Sequence, residues 1–143
     1  MIAIDTNLLI YAHREGCSEH RASQEAIERA DSLPGGWCIP LPCLLEFWSV
    51  VTHVTASGGP TRPDVALRFI EALTAPGHAG ILQPAGNFTK RCLQAALRMD
   101  VRGARVFDLQ IAVLCQDGGV SELWTHDRGF VTLPGLAVHD PLA

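Results

Sequence analysis

Lysine is almost missing from this sequence, which holds a single one, Lys90. Arginine brings the basic total to 11 against 15 acids, a net charge of −4, so the chain as a whole is not built as a general nucleic-acid binder. Also missing is any apolar run near the roughly 20 residues of a membrane span, and the start has an acid at position 5 and no basic stretch of the kind that opens a secretory signal. No membrane partner is expected, and a soluble cytoplasmic protein is. The five cysteines, at 17, 38, 43, 92 and 115, are an odd set without a C-x-x-C pair, which disfavours a disulfide framework and a zinc ribbon. Reduced, mostly buried thiols are the expectation. Cys38, Cys43 and His53 lack a fourth metal ligand at sensible spacing. Repeats and low-complexity blocks are absent too, which argues against a solenoid or a disordered tail.

What remains is an ordinary globular composition, 48% hydrophobic over 143 residues. That length fits one domain, residues 1–143, able to bury roughly 70% of the surface its unfolded chain exposes. The pattern alternates strand and helix. Ile2, Ala3 and Ile4 read as a short buried strand, and Leu8, Leu9, Ile10 and Ala12 as the inner face of a helix that follows at once. Ser18 is a candidate cap for a second helix to about Asp31. Trp37 to Ile39 make a strand, and Pro40 and Pro42 introduce a helix through LLEFWSVVTHV. Pro63 to about Leu73 reads as a helix with Val65, Leu67, Phe69, Ile70 and Leu73 inward, and a strand follows near Gly80 to Leu82. Asn87 can cap the next helix. Another spans about Val106 to Gln116 and stops at a left-handed glycine. Glu122 to Thr125 and a short stretch near Leu136 to Val138 read as the last strands. The expected fold is α/β, three layers in the order α/β/α around a mostly parallel central sheet.

Three acids interrupt this pattern alike. Asp5 sits where the first strand hands over to its helix, Glu46 is the sole acid in PLPCLLEFWSVV, and Asp108 is the sole acid in ARVFDLQIAVL. Lone acids in apolar surroundings are unusual, because an unpaired buried charge is costly. Each also lies near the start of a helix, and in a parallel sheet such starts share the edge where ligands bind. Asp127, in ELWTHDRGF, falls just past the last long strand, at that same edge. Taken singly, Asp5 serves equally well as a helix cap and Asp127 as a turn residue.

Convergence narrows the chemistry. Two carboxylates about 5 Å apart repel by roughly 3 kcal/mol at an effective dielectric near 20, and helix N-termini offset only about 0.3 to 1 kcal/mol each. A divalent cation resolves the conflict. An all-oxygen donor set suits Mg²⁺ or Mn²⁺ better than Zn²⁺, and metals held this way hydrolyse phosphodiesters. Lys90, Arg91, Arg98, Arg102 and Arg105 fall within sixteen residues that hold one acid, Asp100. This is a solvated helix face or, beside a nuclease site, a receiver of phosphates, with Arg98, Arg102 and Arg105 as RNA-contact candidates.

DTNLLIYA at the start, the lone Glu46, the FDLQIAVL helix and THDRGF near the end together resemble the PIN-domain family, and the short chain resembles its VapC-type toxin ribonucleases. That resemblance covers nearly the whole chain and implies a Mg²⁺- or Mn²⁺-dependent endoribonuclease, usually a homodimer, restrained by a cognate antitoxin. Asp5, Glu46 and Asp108 match the family's core metal-binding acids, and Asp127 matches a more variable fourth. Thr6 or Asn7 and Thr125 match polar neighbours that orient carboxylates or a water. His126 stands where related toxins often have asparagine, and receives no role. Dimerisation is expected through the apolar helices of residues 42 to 73. A receiver-type module fits poorly, since it needs an acidic pair near the first strand and a lysine after a late one. An aspartyl-nucleophile phosphatase wants an aspartate where Asn7 stands. A non-catalytic RNA- or partner-binding module on the same scaffold remains the competitor.

Overall fold

In the computed structural model, which describes all 143 residues, three residues suffice for the first strand. Strand β1 (Ile2–Ile4) is buried along its whole length because it lies in the middle of the sheet, where a continuous apolar run is the expected pattern. The order of elements is then α1 (Thr6–His13), α2 (His20–Asp31), β2 (Trp37–Pro40), α3 (Leu41–Thr52), α4 (Pro63–Leu73), β3 (Gly80–Leu82), α5 (Phe88–Arg98), α6 (Arg105–Asp117), β4 (Glu122–Trp124) and β5 (Ala137–His139). The sheet runs β3-β2-β1-β4-β5, and every neighbouring pair is parallel.

Chain direction sets the layers. From β1 the chain steps to β2 and β3 in one direction across the sheet, then returns past β1 to β4. Right-handed crossovers therefore put α1 to α4 on one face and α5 with α6 on the other. Packing agrees: α1 touches α2 and α3, α3 touches α4, and α5 touches α6. The expected α/β/α sandwich is the observed fold. One cluster of 28 buried residues, including Ile4, Leu8, Ile39, Phe47, Leu109 and Leu123, spans it.

Element ends follow local chemistry. Pro40 and Pro42 start α3 as expected. Helix α6 stops in a Schellman motif: Gly119 takes φ +72 while Val120 N–H donates to Cys115 O and Gly119 N–H to Gln116 O. Gly118 is closely approached: a Cβ there would lie 2.6 Å from Leu82 Cδ2, the end of a side chain that would have to move aside. Several expectations need correction. Ser18 caps nothing; it lies inside a turn closed by His20 N–H to Cys17 O, and α2 begins two residues later behind Glu19. Asn87 precedes α5, but its side chain makes no capping bond. Strand β4 ends at Trp124, and β5 is shifted by one residue to Ala137–His139. Leu67 faces solvent, because Ala66 is the buried position of α4 and Leu67 lies a further 100° around the helix. No helix is long and apolar enough to cross a membrane.

Candidate active site

The chain leaves β1 in one direction and β4 in the other, so the carboxyl ends of these adjacent strands form the switch point where a crevice opens in an α/β sheet. Asp5 follows β1 and Thr125 follows β4. Asp5 N–H makes the last ladder bond, to Trp124 O at 3.0 Å, which fixes the two loops against each other.

Asp5 is 7% exposed and receives four neutral donors. Its Oδ1 accepts Thr6 N–H at 2.7 Å and the Cys43 thiol at 3.5 Å. Its Oδ2 accepts the Thr125 hydroxyl at 2.7 Å and the Asn7 amide at 3.4 Å. Burial pushes the Cys43 thiol well above its ordinary range, with the Asp5 charge adding to the effect, so the sulfur remains a proton donor. Thr125, also buried, uses its full hydroxyl capacity: it donates to Asp5 and accepts from Asn7 at 2.9 Å and from Asp127 N–H at 3.1 Å. Thr6 links the next acid, its hydroxyl donating to Glu46 Oε2 at 3.0 Å.

Asp108 stands in the first turn of α6 and accepts Val131 N–H at 3.3 Å. Burial raises its carboxyl above the ordinary carboxylate value; the Val131 bond opposes this, the charges of Asp127 and Asp5 add to it, and Arg105 opposes it. Asp127 Oδ1 accepts Gly129 N–H at 2.8 Å, and Arg105 braces the same turn through Gly129 O at 2.8 Å. Asp5, Glu46, Asp108 and Asp127 all line one cleft of about 300 Å³, with Thr6, Asn7, Ile10, Ala104, Phe107 and Ile111. They are spread around it: no three acid, histidine or cysteine side chains anywhere close on a single point tightly enough to enclose an ion by themselves.

One of these acids departs from its sequence description, and so does a neighbour of another. Glu46 is exposed, at the sixth residue of α3 and not near its start, because α3 turns Leu45, Glu46, Ser49 and Val50 outward. Phe107, beside Asp108, is exposed as well. The basic residues also separate. Arg105 follows the cleft residue Ala104 and bonds the Asp127 turn through Gly129 O, and Arg102 pairs with Asp100 at 3.0 Å. Arg98 lines a different groove between α5 and α6, with Arg91 and Asp117.

One acid escaped the sequence reading. Asp140 Oδ2 lies 2.8 Å from His126 Nδ1, and the His126 N–H donates to Asn7 Oδ1 at 3.0 Å. The segment after β5 thereby holds the turn that carries Thr125 and Asp127. Tyr11 meets the His126 ring edge-on with centroids 6.0 Å apart.

The charge pattern is the distinctive feature. Elsewhere Glu25, Asp31, Asp64, Asp100, Asp117 and Asp140 each have an arginine or histidine partner, and the unpaired Glu15, Glu19, Glu28, Glu71 and Glu122 do not line this cleft, which gathers four unpaired acids. None of the four cleft acids forms an ion pair; all their hydrogen-bond donors are neutral. The donor set fits a hard dication. Only oxygen ligands face the cleft, and Mg²⁺ binds through one or two carboxylates while keeping several waters, which suits acids spread around a cleft.

Comparison with known proteins gives the family and the fold of the chain. The PIN domain model matches residues 2–136. Ribonuclease VapC48 of Mycobacterium tuberculosis is 30% identical over 139 residues, covering 97% of this chain and 96% of that protein. Among solved structures, Mycobacterium tuberculosis VapC20, a toxin that cleaves the sarcin-ricin loop, superposes with a TM-score of 0.66 at 14% identity over 93% of this chain and 98% of its own. A toxin-antitoxin complex from Klebsiella pneumoniae gives 0.65 at 20% identity over 99% and 98%.

Proposed function

The chain belongs to the PIN-domain family, and on that premise we propose that it is a divalent-metal-dependent endoribonuclease, the toxin of a toxin-antitoxin pair. The observation that carries this reading is the uncompensated charge of the cleft: four carboxylates at a switch point, none with a cationic partner. Asp5, Glu46, Asp108 and Asp127 are the residues that would hold Mg²⁺ or Mn²⁺. When bound, such an ion activates water, polarises a phosphodiester and stabilises the departing oxygen.

The protein's own contribution is orientation. Asp5 is locked by Thr6, Asn7, Thr125 and Cys43, and two of those four bonds are long, so both oxygens keep lone-pair capacity. Thr6 couples Asp5 to Glu46. Thr125 and Asn7 couple Asp5 to the Asp127 turn, so one rigid network serves both sides of the cleft. Arg105 sits where RNA phosphates would approach, and Arg102 is close in sequence with only an exposed partner to give up. Arg98, in a separate groove, is a contact only for RNA extending beyond the cleft.

The likeness to the Klebsiella toxin-antitoxin complex supports a cognate antitoxin as protein partner, and a cytoplasmic setting is part of the same proposal. We take residues 1–143 as one domain, in keeping with the single core. A homodimer belongs to the same proposal, through α3 and α4, which leave Leu45, Val50 and Leu67 exposed.

The test is cleavage of a pool of cellular RNAs by purified protein with and without Mg²⁺ or Mn²⁺, beside Asp5→Asn and Asp108→Asn. Metal-dependent cutting to 5′-phosphate and 3′-hydroxyl ends, abolished in both variants, is expected. Equal cutting by the variants would place the activity elsewhere, and RNA binding without cutting in saturating metal would favour a non-catalytic module.

A further inference from the structure

The cleft has a second wall of different chemistry. Beside its acids it is lined by Ile10, Ala104, Phe107 and Ile111, and three of these, counting the N-cap Ala104, follow one face of α6 with Asp108. Positions 104, 107, 108 and 111 are spaced three and four apart, so they stand one above another on that face. Ile111 is buried, whereas Phe107 is 63% exposed. The fold makes no use of the Phe107 ring. It belongs neither to the buried core nor to the partly buried residues packed around it, and it takes part in none of the aromatic pairs in the molecule. Isolated exposed apolar residues need no explanation. Phe107 differs because it adjoins an acid of the candidate site and lines the same cleft.

Resting on the ribonuclease reading, we infer that Phe107 is a stacking platform for a nucleobase next to the scissile phosphate, and that it makes the enzyme select unpaired RNA. A phosphate seated over the carboxylates leaves the flanking nucleoside beside this wall. The wall offers a flat aromatic face and aliphatic neighbours, with no side-chain polar group to read a base edge. Stacking of this kind accepts every base, because each has a π-face. Bases in an A-form duplex are already stacked on one another, and single-stranded loops and ends are where they can be splayed onto a side chain. Phe107 therefore contributes to affinity for strandedness and not to sequence choice.

The test uses the full chain with Mg²⁺ and short single-stranded, hairpin-loop and duplex RNAs, comparing wild type with Phe107→Ala, Phe107→Leu and Phe107→Trp. The expected result is a KM for single-stranded and loop RNA raised about tenfold or more in Phe107→Ala, with kcat at saturation and thermal midpoint near wild type. Phe107→Leu, similar in bulk without a π-face, should resemble Phe107→Ala, while Phe107→Trp should match or exceed wild type. In wild type, duplex RNA should be the poor substrate. A KM unchanged in Phe107→Ala while wild type cuts RNA would overturn the inference and leave the ribonuclease reading standing. The same holds if Phe107→Ala loses only binding to an antitoxin, which would assign the ring to a protein partner. Wild type inert toward every RNA, with metal present, would overturn both.

Discussion

Asp31 ends α2 at the amino edge of the sheet, and Asp108 occupies the first turn of α6 at the carboxyl edge. The helix macrodipole alone favours Asp108 and disfavours Asp31. The protein arranges the reverse. Asp31 accepts the Trp37 indole N–H at 2.8 Å and His78 Nδ1 at 2.9 Å, and the Trp37 bond above all holds its carboxyl below the ordinary value, with burial opposing and His78 assisting. Asp108 is held above that value, first by burial and then by its acidic neighbours. A dipole effect of about 0.3 to 1 kcal/mol is outweighed by what stands within reach of the carboxyl. At the amino edge an acid is paired within the fold, and at the carboxyl edge the acids of the cleft are left without an ion-pair partner.

The sharpest way to break this contrast is through activity. Asp5→Asn and Asp108→Asn are expected to lower RNA cleavage by more than about 100-fold, beyond what loss of an outer partner usually costs, as read by initial rates in saturating Mg²⁺. Cation binding comes next: Mg²⁺ at about 100 times its Kd should stabilise wild type by about 2.7 kcal/mol, measured by denaturant unfolding, and should leave Asp5→Asn nearly unmoved. Smaller is the effect of Asp140→Ala, which frees His126 and with it the turn of Thr125 and Asp127; metal affinity or cleavage should fall about tenfold, the lower end for an outer partner.

The smallest effects carry the contrast itself. In metal-free protein Asp31→Asn should lower stability by about 1 kcal/mol, the scale of a partly exposed charge-assisted hydrogen bond, whereas Asp108→Asn should raise it, by under about 1 kcal/mol once solvent screening is allowed for. Acidity separates them too. The depressed Asp31 carboxyl contributes stability above its unfolded value that is lost as pH falls through the folded one. The raised Asp108 carboxyl contributes below its unfolded value, and that contribution is lost as pH rises through the folded one. Chemical denaturation across the acid range, wild type against each variant, should show opposite slopes; equal slopes would mean the two edges do not differ.

Much of this was legible in the residues. Strand β1, the proline-led α3 and the glycine stop of α6 follow from short-range rules, and three lone acids with Asp127 at the same edge pointed to one cleft. What stayed hidden depends on neighbours distant along the chain. Asp140 reads as part of a terminal tail until His126, fourteen positions earlier, is seen beside it. Phe107 and Leu67 read as core because their stretches are apolar, and helical phase alone decides which members of such a stretch face out. Glu46 reads as enclosed for the same reason, although α3 has an outward face. The amino-edge cluster of Asp31, Trp37 and His78 joins residues up to 47 positions apart, and no local pattern announces it.

The Asp5 cradle draws on Thr125, 120 positions away, and Asn7 grips the same hydroxyl across 118. A nascent chain therefore presents its first acid to the ribosome long before the strand that will orient it has been translated. Until β4 emerges and docks beside β1, the half-made protein has the first acid of the cleft without the hydroxyl that orients it.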